Sequence, residues 1–128
     1  MPVQSNVYVA VVDDDDSVCR AMARLLRASG MHAVTYASAE EFLQDRKRPQ
    51  FDCLVLDIEL AELSGIELQQ QLANGGGSVP TIFITANDDP VIRERAENLG
   101  CVAYLRKTAS GHELLQMIRS VLSKTGEP

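Results

Sequence analysis

Apolar positions along the chain come in short runs. Residues 7–12, 53–56, 81–84 and 102–105 form four of them, and 33–36 forms a weaker fifth. Runs this short and this poor in polar residues predict strands buried on both faces, as in a parallel sheet covered by helices. Between the runs the spacing turns helical. Val18, Met22, Leu25 and Leu26 fall on one face of a first helix, with Arg20, Arg24 and Arg27 largely on the other. Gly30 stands where a left-handed C-terminal cap belongs. Ser38 with Glu41, Ser64 with Glu67, and Ser110 with Glu113 each have the spacing of a capping box, and so mark three further helix starts. A fourth helix begins near Asp88 to Pro90, proline being tolerated in the first turn, and stops at Gly100. Leu114, Leu115, Ile118 and Leu122 form the apolar stripe of the last.

Five strands alternating with five helices predict an α/β fold, a three-layer, doubly wound parallel sheet. Residues 74–78 read as a loop before the fourth strand, and no internal repeat appears. A length of 128 residues fits one domain, with a core from about 7 to 122. Hydrophobic residues make up 45% of the chain, enough to build that core, which argues against disorder. The net charge of -6 argues against direct nucleic-acid binding, which needs a basic face, and against docking on an anionic membrane. Cys19, Cys53 and Cys101 are scattered and form no C-x-x-C pair, so neither a disulfide framework nor a thiolate zinc site is expected. The N-terminus lacks the regions of a signal peptide, and a cytoplasmic location with reduced thiols is expected.

The polar residues at the strand ends change the picture. Asp13 and Asp14 follow the first strand, Asp57 closes the third, Thr85 closes the fourth and Lys107 follows the fifth. In open α/β sheets the ligand crevice lies at the carboxyl ends of the strands, so these side chains are expected to converge there. Clustered carboxylates repel unless a counter-charge is supplied, and a hard cation such as Mg²⁺ (or Mn²⁺) takes such oxygen ligands. A carboxylate beside the cation can attack phosphorus and form an acyl phosphate. Lys107 and the Thr85 hydroxyl are placed to neutralise the phosphoryl oxygens. Asp15 and Asp16, by contrast, suit the start of a helix, where the dipole favours acids.

The segments Val11-Val12-Asp13-Asp14-Asp15, Leu54-Val55-Leu56-Asp57, Ser64-Gly65, Ile82-Phe83-Ile84-Thr85-Ala86 and Gly100-Cys101-Val102-Ala103-Tyr104-Leu105-Arg106-Lys107 resemble response-regulator receiver domains of two-component signalling. The resemblance spans roughly residues 7–122. Ser38-Ala39-Glu40-Glu41-Phe42-Leu43 is similar to receivers that often precede a helix-turn-helix output domain. The resemblance implies strand order 2-1-3-4-5. It makes Asp57 the phosphoacceptor, with phosphohistidine on a sensor histidine kinase or phosphotransfer protein as donor. Asp13, Asp14 and Asp57 would hold Mg²⁺ together with the backbone carbonyl of Glu59. Thr85 and Lys107 would contact the acyl phosphate, and Tyr104 would be the aromatic partner of Thr85 in switching the face of the fourth helix, fifth strand and fifth helix. Arg93, Arg95, His112 and Arg119 read first as ordinary solvated positions, with lining that partner face as the alternative. A downstream protein or an output domain outside this chain would read the switch, and a phosphorylation-dependent homodimer fits the same scheme. No independent turnover of a substrate is expected.

Departures from the family pattern set the alternatives. Thr108 and Ala61 replace usual prolines, and Glu62 and Leu63 are atypical. A cis bond before a non-proline residue costs about 2.5–4 kcal/mol, which argues for a trans bond and a displaced Lys107. One alternative is therefore a receiver-like interaction module that works without phosphorylation. Another is an enzyme: Asp13, Asp15 and Ser17 resemble the opening motif of haloacid-dehalogenase-type phosphatases, although no later Asp pair supplies that family's final metal motif.

Overall fold

The computed structural model describes residues 6–59, 79–86, 90–98, 103–107 and 110–125, with the backbone alone at 92, 95, 96, 124 and 125. Five strands, β1 (Tyr8–Val12), β2 (His32–Tyr36), β3 (Cys53–Asp57), β4 (Thr81–Thr85) and β5 (Ala103–Arg106), form one sheet in the order β2-β1-β3-β4-β5. All four pairings are parallel. Among the described residues there are four helices, α1 (Asp16–Ala28), α2 (Ala39–Gln44), α3 (Pro90–Asn98) and α4 (Gly111–Thr125). The predicted helix opening at Ser64 lies outside the described residues. So do Ala61, Glu62, Leu63, Cys101 and Thr108.

Alternate strand residues feed two cores, one on each side of the sheet. Val9, Val11, Val55, Ile82 and Ile84 pack with Cys19, Ala23 and Leu26 of α1 and with Leu114, Ile118 and Val121 of α4. Ala10, Val12, Leu54, Leu56 and Phe83 pack on the other side with Tyr36, Phe42, Phe51 and Ile58. Every residue of β3 and β4 is buried, which is why these strands read as unbroken apolar runs. The helical stripes sit slightly off their predicted centres. In α1 the buried line is Cys19, Ala23, Leu26, with Val18, Met22 and Leu25 only partly covered. Small side chains lie closest to the sheet because they let the helix approach. In α4 the line is Leu114, Ile118, Val121, with Leu115 and Leu122 at its border.

The predicted caps at Ser38, Ser110 and Gly30 form; the one at Ser64 lies outside the described residues. Ser38 Oγ accepts from the Glu41 amide at 3.0 Å, and Ser110 Oγ from the Glu113 amide at 3.2 Å. Gly30 has φ +85°. Its amide donates to Arg27 O, and the Met31 amide donates to Leu26 O, each at 3.0 Å, which closes α1 with a Schellman motif.

Candidate functional site

Backbone hydrogen bonds tie the strand ends together and bring the site residues to one edge. The Asp13 amide donates to Tyr36 O at 3.1 Å, the Ile58 amide to Ile84 O at 3.0 Å, and the Lys107 amide to Thr85 O at 2.8 Å. Asp13, Asp57 and Thr85 are buried, Asp14 and Glu59 are exposed, and Lys107 lies between these extremes. The three Asp side chains offer carboxylate oxygens that all lie within 4.8 Å of one another. The three aspartates therefore meet as the strand ends predicted. Thr85 stands opposite Arg106 at the end of β4, and Tyr104 opposite Phe83.

Lys107 is not displaced. Its Nζ donates to Asp57 Oδ2 at 3.0 Å and forms an ion pair with Asp13 Oδ2 at 2.9 Å. The expected displacement of Lys107 is corrected here, while the peptide bond to Thr108 lies outside the described residues: the bond from the Lys107 amide to Thr85 O roots the residue on β4, and two carboxylates draw the ammonium in. The Asp13 contact lies off the hydrogen-bonding direction, so the buried Oδ2 of Asp13 has no aligned donor. Its other oxygen accepts from the Asp15 amide at 2.8 Å, and Asp57 Oδ1 accepts from the Glu59 amide at 3.0 Å.

Burial pushes the Asp13 carboxyl above its ordinary range, although the Asp15 amide and Lys107 pull the other way; the nearby Asp57 charge adds to the rise. Burial also works to lower the Lys107 ammonium, but its contacts with Asp13 and Asp57 outweigh that and hold it above its usual value. Three carboxylates face one ammonium, so the formal charge of the group is negative by two. A divalent cation matches that charge. The oxygen-only ligands suit a hard ion, and the buried Asp13 Oδ2, met by the Lys107 ammonium but by no aligned hydrogen bond, is a position a metal would satisfy. The Asp cluster can therefore bind a metal.

Asp15 and Ser17 do other work. Asp15 caps α1, accepting from the amides of Ser17 and Val18 at 2.9 and 3.3 Å, and the Ser17 hydroxyl donates back to it at 2.6 Å. The phosphatase-like spacing is thus the signature of a helix start. Asp16 occupies the first turn and pairs with Arg20 at 3.1 Å. Tyr104 is half-buried against the Phe83 core, with the Arg93 guanidinium 5.3 Å from its ring centre. Arg93, His112 and Arg119 are exposed; the Arg95 side chain lies outside the described residues.

Sequence reasoning missed Cys19. Its buried thiol donates to the carbonyl of Asp13 at 3.2 Å and so braces the acidic turn from behind. Burial, followed by the Asp13 charge, pushes this thiol up to about 11, so it stays protonated as a donor. The only signal was its place in the Cys19-Ala23-Leu26 line.

Comparison with known proteins agrees with this geometry. The response regulator receiver domain family matches residues 9–119. The response regulator protein TodT of Pseudomonas putida is 35% identical over 114 residues, covering 89% of this chain and 50% of the relative. Nodulation protein W of Bradyrhizobium diazoefficiens is 39% identical over 114 residues, with the same coverage of 89% and 50%. The chain thus spans about half the length of these curated relatives. The crystal structure of a response regulator receiver protein from Burkholderia phymatum superposes with a TM-score of 0.81 at 45% identity, over 92% of this chain and 96% of that one. No helix among the described residues is long and apolar enough to cross a membrane. Five parallel strands in this order, an acidic cluster with its lysine at their carboxyl ends, and a family match over most of the sequence lead to one conclusion: the chain belongs to the response regulator receiver domain family of two-component signalling.

Proposed function

We propose that Asp57 is the phosphoacceptor of this receiver, taking a phosphoryl group from phosphohistidine on a sensor histidine kinase or phosphotransfer protein. The observation that carries this reading is the placement of Lys107 Nζ against both Asp57 and Asp13, 3.0 and 2.9 Å from their carboxylate oxygens. An Asp57 oxygen forms the new bond to phosphorus as the donor's nitrogen–phosphorus bond breaks, leaving an acyl phosphate. Asp57 is buried, but its Oδ2 is covered by a lysine on a flexible four-carbon stem, a cover that can swing from the carboxylate to a phosphoryl oxygen. The Thr85 hydroxyl then donates to the same group. Asp13, Asp14, Asp57 and the Glu59 carbonyl would hold Mg²⁺, which would supply the charge neutralisation that an anionic donor needs to approach an anionic acceptor.

The acyl phosphate acts as a switch by favouring one arrangement of Thr85 and Tyr104, and with it the face of α3, β5 and α4. The relatives are about twice as long as this chain. Their extra length supports a reading in which an output region or a separate protein reads that face. The domain turns over no substrate of its own beyond its own phosphorylation and dephosphorylation, and acts in the cytoplasm. Incubation with acetyl phosphate and Mg²⁺, followed by intact-mass measurement, tests the acceptor. The wild type gains one phosphoryl group, and Asp57→Asn or a chelator removes the gain. An unmodified wild type would instead favour the interaction module, and a modified Asp57→Asn would place the chemistry elsewhere.

A further inference from the structure

The sheet has a lateral edge at β2, whose chemistry is independent of phosphorylation at Asp57. β2 is an edge strand among the described residues. In a parallel ladder successive residues turn their N–H and C=O groups to alternate sides. The His32 amide donates to Val7 O at 2.9 Å and Tyr36 O accepts from the Asp13 amide, so the even residues serve β1, and the backbone N–H and C=O groups of exposed Thr35 and of buried Ala33 point away from it. Natural edges are usually blunted by lysine, proline or a bulge. His-Ala-Val-Thr-Tyr has none of these. Its cover is a side chain: Arg27 Nη2 donates to Ala33 O at 2.9 Å.

Beside that edge runs a groove of about 400 Å³, lined by Cys19, Arg20, Ala23, Arg24, Arg27 and Thr35. The three arginines lie at i, i+4 and i+7 on α1, all exposed, in a chain of net charge -6. Among the described residues Arg20 is engaged by an exposed partner, Asp16, a pairing worth little in water. Arg24 has no ion-pair partner among the described residues.

We infer that the groove between α1 and β2 is a docking site for an extended acidic peptide segment that adds to β2 as a further strand. Its backbone pairs with the outward groups of Ala33 and Thr35, and its carboxylates meet Arg20 and Arg24. Arg27 is the gate: it leaves Ala33 O for a peptide carboxylate and so exposes the edge it covers. A second copy of this chain fits poorly, because its arginine row would face this one.

The test is a titration of the full ¹⁵N-labelled chain with a synthetic peptide alternating glutamate and threonine, with a lysine–threonine peptide as control. The acidic peptide should shift the Ala33 and Thr35 amides and slow their hydrogen exchange, and the lysine peptide should not. The double variant Arg20→Glu/Arg24→Glu, changed only at exposed positions, should bind at least about tenfold more weakly. Asp57→Asn should bind as the wild type does. Unchanged Ala33 and Thr35 signals, equal binding of the lysine peptide, or undiminished binding by the double variant would overturn the inference. So would self-association through Thr35 without peptide, which would assign the edge to a second copy.

Discussion

Asp13 is held in a site that favours its neutral form, while the metal chemistry needs it charged. Burial raises its pKa above the ordinary 3.8. A group whose folded pKa is raised stabilises the fold most below its unfolded value, and that contribution is lost as pH rises through the folded one. Metal-free protein should therefore lose stability between about pH 4 and the raised Asp13 value. Asp13→Asn should flatten that loss and raise metal-free stability at neutral pH, by on the order of 1 kcal/mol. Thermal unfolding across pH, with and without the substitution, checks this; a less stable variant at pH 7 would contradict it. At this scale the sequence was informative where chemistry-bearing residues sit at strand ends, as Asp13, Asp57 and Lys107 do. It was silent about contacts set by depth alone. Nothing in the spacing of Cys19 announces a thiol on the Asp13 carbonyl, and nothing around Thr108 announces how firmly Lys107 is held.

Helix α1 shows how elements are read and misread. Its ends were legible because caps are local: Asp15, Gly30 and, for α2 and α4, Ser38 and Ser110 act within a turn or so of their own position. Gly30 at φ +85° is the clearest case. Gly30→Ala should cost about 1–2 kcal/mol, the penalty of a Cβ in left-handed backbone, read as a lower midpoint in urea with an unchanged slope. No loss would mean that the turn relaxes. The buried line of α1 was harder to place. Hydrophobicity points at Val18, Met22 and Leu25, but the sheet accepts Cys19 and Ala23 because close approach favours small side chains. Strand order was likewise beyond the periodicity, since every parallel order uses the same buried runs. It came from the resemblance, and the pairing of β1 with both β2 and β3 agrees with it.

Taken whole, the molecule is a sheet whose carboxyl edge gathers more negative than positive charge. That excess opposes folding, and a cation bound there would offset it and so couple metal binding to stability. Mg²⁺ at about a hundred times its Kd should add about 2.7 kcal/mol to the unfolding free energy, visible as a rise of several degrees in Tm that Asp13→Asn removes. A Tm indifferent to Mg²⁺ would separate the acidic cluster from metal binding.

The most direct measurement is a crystal structure grown with Mg²⁺ and beryllofluoride, which mimics a phosphoryl group on a carboxylate. The account predicts the mimic bonded to an Asp57 oxygen, Mg²⁺ touching Asp13, Asp14 and Asp57, and Lys107 moved from the carboxylate to a fluorine. Beryllofluoride on Asp13, or a bare Asp57 still capped by Lys107 in saturating mimic, would contradict it.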